Sequence, residues 1–220
     1  MKNIELLENK EINDKLKEFD NYGGRIDFKI FKLDKKVTEY DSHLLTAKSS
    51  IFELQKNSQY FKIDFDENKM NDSGKKISVE EFLGPLFDFK LKKPILRGFT
   101  NLNNLFYFDS KEINKNIVDI RDSERYKNNT SELYTIGFAQ AFLDPVHGFR
   151  VSNSIFETGK YFIDFCEFLF SDLNKIEIMK WNTDCSNYFD DGKEFWGTHF
   201  WTVYNPLKDY YIGILASDTD

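Results

Sequence analysis

Three histidines, two cysteines and one dense group of carboxylates are the residues of this chain whose types could do chemistry. Imidazole changes charge near neutral pH and is the usual general base or metal ligand. His147 lies in a loop by composition, Asp144 to Gly148, where Asp144 could orient it as a base. The plainer reading there is an ordinary turn contact. His199 shares a strand face with Trp201 and Val203 by period-two counting, which makes it a core or semi-buried side chain. His43 falls in a helix read as a surface helix and receives no role. Cys166 sits on an apolar helical stripe and reads as a small buried hydrophobe, while Cys185 lies in a polar loop with no local partner to activate it. Their spacing fits neither a disulfide framework nor a zinc site, so both are expected as free thiols.

Asp184, Asp190, Asp191 and Glu194 form the densest carboxylate group. Hard cations prefer oxygen ligands, yet this spacing matches no established calcium loop, and no metal or cofactor is expected. Asp64 and Asp66 alternate with Phe65, which would put both carboxylates on the solvent face of a strand. A phosphate-binding glycine loop, a dinucleotide fingerprint, a nucleophile-elbow serine and an HExxH pair are all missing. That absence lowers the expectation of an enzyme, although catalytic groups can also be assembled from distant segments.

The elements that must position these residues follow from periodicity. Ile4, Leu7, Ile12, Leu16 and Phe19 recur at near-helical spacing, predicting a helix over 3–19 that Gly23 and Gly24 punctuate. Ile26, Phe28 and Ile30 alternate with Asp27 and Lys29, predicting a half-buried strand over 25–33. An amphipathic stretch at 37–57 predicts a helix, and 60–65 alternates as a strand. Residues 66–77 are polar and read as a long loop or weak boundary. Ser78 and Glu81 have capping-box spacing before a short helix. Residues 102–108 read as a strand, with Ser110 capping a helix that carries Ile113, Ile117 and Ile120. Residues 134–143 suit a closely covered strand, with a helix as the alternative. Ser154 and Glu157 repeat the capping-box spacing ahead of a helix bearing Phe162, Phe165, Cys166 and Leu169, and 176–181 follows as a strand. The runs 195–204 and 210–216 form a hairpin through Asn205 to Asp209, where Pro206 presets a turn. The expected fold is one α+β domain over 1–220, a mixed and mostly antiparallel sheet covered by helices with a C-terminal β-hairpin.

Composition restricts the function. The 220 residues are 40% hydrophobic and 17% aromatic, enough large apolar surface to order the backbone, so intrinsic disorder is excluded. The formal net charge is −7, and the last 70 residues hold 12 acids against 5 bases, whereas the first 150 balance. A nucleic-acid binder concentrates Lys and Arg on one face to release phosphate counterions, so DNA and RNA are not expected partners. No run approaches the roughly 20 apolar residues that span a bilayer, so no membrane partner is expected. Glu5, Glu8 and Glu11 fall where a signal peptide needs an apolar core, and a cytoplasmic location is expected.

The carboxylates of the last third are interleaved with aromatics: Trp181, Tyr188, Phe189, Phe195, Trp196, Phe200 and Trp201. Protein interfaces favour Trp and Tyr anchors within a polar rim, while complementary charge speeds and selects the encounter. Asp184, Asp190, Asp191 and Glu194 would steer a basic protein partner, with Tyr188 or Trp196 as its anchor. The competing reading places the aromatics in the core and leaves the acids to solvate the loop. In this profile, a small acidic α+β chain without catalytic motifs, the protein resembles the immunity proteins of bacterial polymorphic-toxin systems. The resemblance implies a non-enzymatic cytosolic protein that neutralises a basic toxin. The alternative function is a small hydrolase or metal-dependent enzyme using the 184–199 carboxylates with His147 or His199.

Overall fold

Two adjacent hydrophobic strands near the C-terminus organise the molecule. In this computed structural model, which describes residues 4–34, 37–58, 62–97, 104–107, 116–119, 137–152, 154–194 and 197–218, strands β9 (Thr198–Asn205) and β10 (Tyr210–Ser217) pair antiparallel from Asn205↔Tyr210 to Thr198↔Ser217. Asn205 builds their turn: its Oδ1 accepts from the backbone N–H groups of Leu207 and Lys208, and its Nδ2 donates to the Leu169 carbonyl and Ser171 Oγ. The C-terminal hairpin is therefore as the turn chemistry predicts.

Around this pair lies a six-stranded antiparallel sheet in the order β1-β2-β10-β9-β8-β3, with β1 at Ile4–Leu6, β2 at Ile26–Leu33, β3 at Lys75–Lys76 and β8 at Glu177–Lys180. Both faces are covered, which is why β9 and β10 are buried almost throughout and do not alternate with polar residues. On one face Phe28, Ile30, Val203, Trp201, Ile212 and Ile214 join the main core. On the other, Phe200, Leu215 and Met179 join a second core. The chain is α+β.

Helix α1 (Lys10–Asn21), short helices α4 (Val79–Leu83) and α5 (Phe138–Leu143), and α6 (Ile155–Phe170) contribute to the main core. Their N-termini follow capping rules. Asn9, Ser78 and Ser154 each accept a backbone N–H of the first turn of α1, α4 and α6 respectively. Helix α2 (Glu39–Asn57), capped by Thr38, lies on the second face. It buries Ser42, Thr46, Ser49 and Ser50 against the sheet, and two of these hydroxyls return to carbonyls one turn back, Thr46 to Ser42 and Ser50 to Thr46. Those small side chains let the helix approach closely: a Cβ built on Gly213 would stand 1.8 Å from Ser50 Oγ. A second antiparallel sheet, β4 (Phe87–Asp88), β5 (Lys93–Arg97), β6 (Asn104–Tyr107) and β7 (Asn116–Asp119), adds Phe87 and Ile95 to the main core.

Several elements differ from expectation. The helix expected from residue 3 begins only at Lys10, because 4–6 pairs with β2 at the sheet edge and Leu7 N–H donates to the Ile30 carbonyl. Of the strand expected at 60–65, the described residues show a single bridge, Phe65 to Ser186; residues 60 and 61 lie outside the described residues. Residues 67–71 form a helix, α3, that buries Met70, and Lys75–Lys76 edges the sheet. Where a helix is expected around Ile117, residues 116–119 pair with β6 as strand β7, while Ser110, Ile113 and Ile120 lie outside the described residues. Residues 138–143 take the helical alternative. Among the described residues no helix is long and apolar enough to cross a membrane.

Candidate functional site

The acidic segment after β8 is not an extended loop. It coils into two short 3-10 turns, Thr183–Cys185 and Asn187–Phe189, and a four-residue helix, α7 (Asp190–Lys193). Asn182 and Ser186 cap the turns by accepting from Asp184 N–H and Tyr188 N–H. Asn187 ties the segment to 62–66: its Oδ1 accepts from Asp64 N–H and its Nδ2 donates to the Lys62 carbonyl. Asp66 N–H also donates to the Cys185 carbonyl. Two stretches over 100 residues apart are thus joined, and a hollow of about 670 Å³ opens between them, with Asp64, Asp66, Lys69, Asp184, Asp190 and Lys193 among its lining residues.

Four aspartates against two lysines leave this hollow acidic. Lys193 bridges two of them, 2.7 Å from Asp184 and 3.1 Å from Asp190. The hydrogen bond and charge of Lys193 hold the Asp184 carboxyl below its usual range, and the same partner raises Lys193. Asp64 pairs with Lys62 at 2.9 Å. Exposed pairs of this kind contribute little to stability and exchange readily for other cations.

Of the six residues expected at a partner surface, Asp184, Asp190, Asp191 and Glu194 are exposed. Asp184 and Asp190 line the hollow; Asp191 and Glu194 extend along and beyond the short helix. Tyr188 is half-buried, its ring packed edge-on against Phe189 and its hydroxyl donating to Asp27 Oδ2 at 2.8 Å. Burial first and the Asp27 charge second push its phenol well above the ordinary range. Trp196 lies outside the described residues. The neighbouring aromatics Trp181, Phe189, Phe200 and Trp201 are buried, three in the second core and Trp201 in the main one.

The candidate catalytic groups sit in different environments. His199 stacks on Trp201 with ring centroids 4.7 Å apart, on the face of the sheet opposite Phe200 and Phe189. His147 is exposed in the turn after α5. Cys166 is buried on α6 and desolvation raises its thiol, while Cys185 is buried in the second core and pushed up to about 11. Cys185 therefore differs from the polar-loop position expected of it, because the 3-10 turn folds its side chain inward.

His43 is not on a surface helix face as expected. It is fully buried on α2, with Nδ1 2.8 Å from Thr202 Oγ1 and its ring edge-on to Tyr211. Helical spacing puts Glu39 one turn before it, and β8 brings Glu177 alongside; one ligand atom from each of the three lies within 4.8 Å of the others. The i, i+4 spacing of Glu39 and His43 was visible in the sequence, but nothing there indicated which face of α2 is buried.

The two buried imidazoles predict acid sensitivity. Desolvation lowers His43 to about 4 and His199 to about 3, against an ordinary 6.5. Below pH 6.5 the unfolded chain takes up protons that the folded chain refuses, so stability is full above 6.5 and falls as pH drops toward 4. Each ring is expected to withdraw roughly 3 kcal/mol across that window. Urea denaturation at successive pH values measures it; a His199→Phe variant should show a shallower slope, and an unchanged slope would contradict this assignment.

No protein-family model, curated protein or solved structure matches this chain.

Proposed function

We propose that this protein is a non-enzymatic binding module of immunity type, which neutralises a basic protein partner through the acidic surface around the 182–194 segment. The observation that carries this reading is the convergence of Asp64 and Asp66 with Asp184 and Asp190 on one open hollow, continued outward by exposed Asp191 and Glu194. A basic side chain entering the hollow can exchange with Lys193 and Lys62 for their carboxylates, since those pairs are exposed. The capped turns and the Asn187 tie hold the carboxylates in place, so little ordering cost remains at binding. Tyr188, held by Asp27, supports the segment from behind.

Charge of one sign on a rigid surface acts mainly on the encounter. Replacing Asp184, Asp190, Asp191 and Glu194 together by lysine is expected to slow association with the basic partner by about tenfold or more at low salt and to flatten its salt dependence. Capture from native lysate at low and high salt identifies the partner, and stopped-flow association rates then compare the two proteins. An association rate and salt dependence unchanged in the folded variant would reject this surface.

A further inference from the structure

We infer that Glu39, His43 and Glu177 form a binding site for one divalent cation of the zinc class, independent of the acidic hollow. Three features meet here. The first is a buried, oriented imidazole. Thr202 Oγ1 accepts the indole N–H of Trp181 at 2.9 Å and stands 2.8 Å from His43 Nδ1, while Tyr211 packs edge-on against the ring. A hydroxyl oxygen can accept two hydrogen bonds, so Thr202 accommodates Trp181 together with the His43 tautomer that carries its proton on Nδ1, and in that tautomer Nε2 keeps a free lone pair for a cation. This is the arrangement that fixes metal-bound histidines, one ring nitrogen tied to an oxygen and the other on the ion.

The second feature is that Nε2 of this fully buried ring has no hydrogen-bond partner among the described residues. A buried polar atom left unpaired is costly, and a cation would satisfy it. The third is the pair of carboxylates. Glu39 stands one helical turn before His43, and Glu177 projects from β8, with one ligand atom of each within 4.8 Å of the others. Tetrahedral ligands about zinc lie about 3.3 Å apart. Glu39 is exposed and Glu177 half-exposed, so both can swing inward onto a fixed imidazole. With Glu39 and Glu177 reaching solvent, water would supply any remaining ligand.

One imidazole nitrogen with two carboxylate oxygens suits zinc and its transition-metal neighbours, whereas calcium and magnesium favour all-oxygen shells. Lys76 competes directly. On the edge strand, its ammonium pairs with Glu39, and Glu177 adds to the field that raises it. The ion must take Glu39 from this lysine, which predicts a variant that binds more tightly than the natural chain.

The test is calorimetric titration of the full chain with zinc chloride. The natural protein should bind one zinc. Glu177→Gln should weaken it by about tenfold or more without changing the metal-free melting temperature, and Lys76→Met should tighten it severalfold. A double Asp184→Asn, Asp190→Asn variant should bind as the natural chain does. No binding at millimolar zinc, binding that Glu177→Gln leaves intact, or binding lost in the double variant would each overturn the site.

Discussion

Replacing Phe138 with alanine is expected to lower the unfolding free energy by about 3–5 kcal/mol, the range for deleting a buried phenylalanine. Phe138 is the first residue of α5 and is fully buried. Its ring stacks on Phe82 at 4.9 Å and 13° and meets Phe170, Phe28 and Trp201 edge-on. It therefore joins α4, α6, β2 and β9, and the rings around it are themselves packed against one another, for example Phe82 against Trp201 and Phe170. A cavity at this point has no flexible side to collapse into, so relaxation recovers little of the loss. Urea denaturation of the two proteins measures the difference. Phe138→Leu, which keeps most of the volume, should cost distinctly less; equal costs for Ala and Leu would show that ring geometry and not cavity volume governs the site.

The second large effect is expected at Gly84, where alanine should cost about 3–5 kcal/mol through two additive causes. Gly84 ends α4 with φ +73 and ψ −169, a conformation that side-chain-bearing residues rarely adopt. A Cβ there would also stand 2.6 Å from the Gly137 Cα and 2.7 Å from its backbone N. Both contacts are with backbone, so no side chain can rotate away. Gly137 meets the same limit from the other side, since a Cβ on it would fall 2.4 Å from the Gly84 Cα. The two glycines form a crossing at which α4 and the start of α5 touch main chain to main chain. Gly148 supplies the control. It also has positive φ, +79, but a Cβ there would meet nothing within 4 Å. Gly148→Ala should therefore cost only the backbone strain, about 1–3 kcal/mol, and a Gly84 variant no worse than the Gly148 variant would show that the crossing can open.

Much of the scaffold was written locally. Caps at Ser78 and Ser154, the alternation of Ile26, Phe28 and Ile30, and the Asn205 turn are short-range devices, since a cap or tight turn needs only neighbours along the chain. Where the fold departs from the local pattern, tertiary partners override it. Ile4 to Leu6 became an edge strand because β2 offered unpaired backbone, and 138–143 became helical where Gly84 allowed close approach. Residues 67–71 folded up because Met70 found the second core.

The candidate sites divide along the same line. The exposed acids at 184, 190, 191 and 194 were legible because charge density is a property of the sequence. Their convergence with Asp64 and Asp66 was not, because it depends on Asn187 joining segments more than 100 residues apart. The fate of the aromatics and histidines was likewise beyond local reading. A sheet covered on one face would leave the other side of each strand to solvent, but α2 covers the second face with small hydroxylated side chains whose polarity disguises burial. By itself, then, the sequence determined an acidic α+β chain with a C-terminal hairpin, because capping, turns, periodicity and charge act over a few residues. Only the tertiary structure decided that His43 is buried beside Glu39 and Glu177, because that requires the second sheet face to be covered.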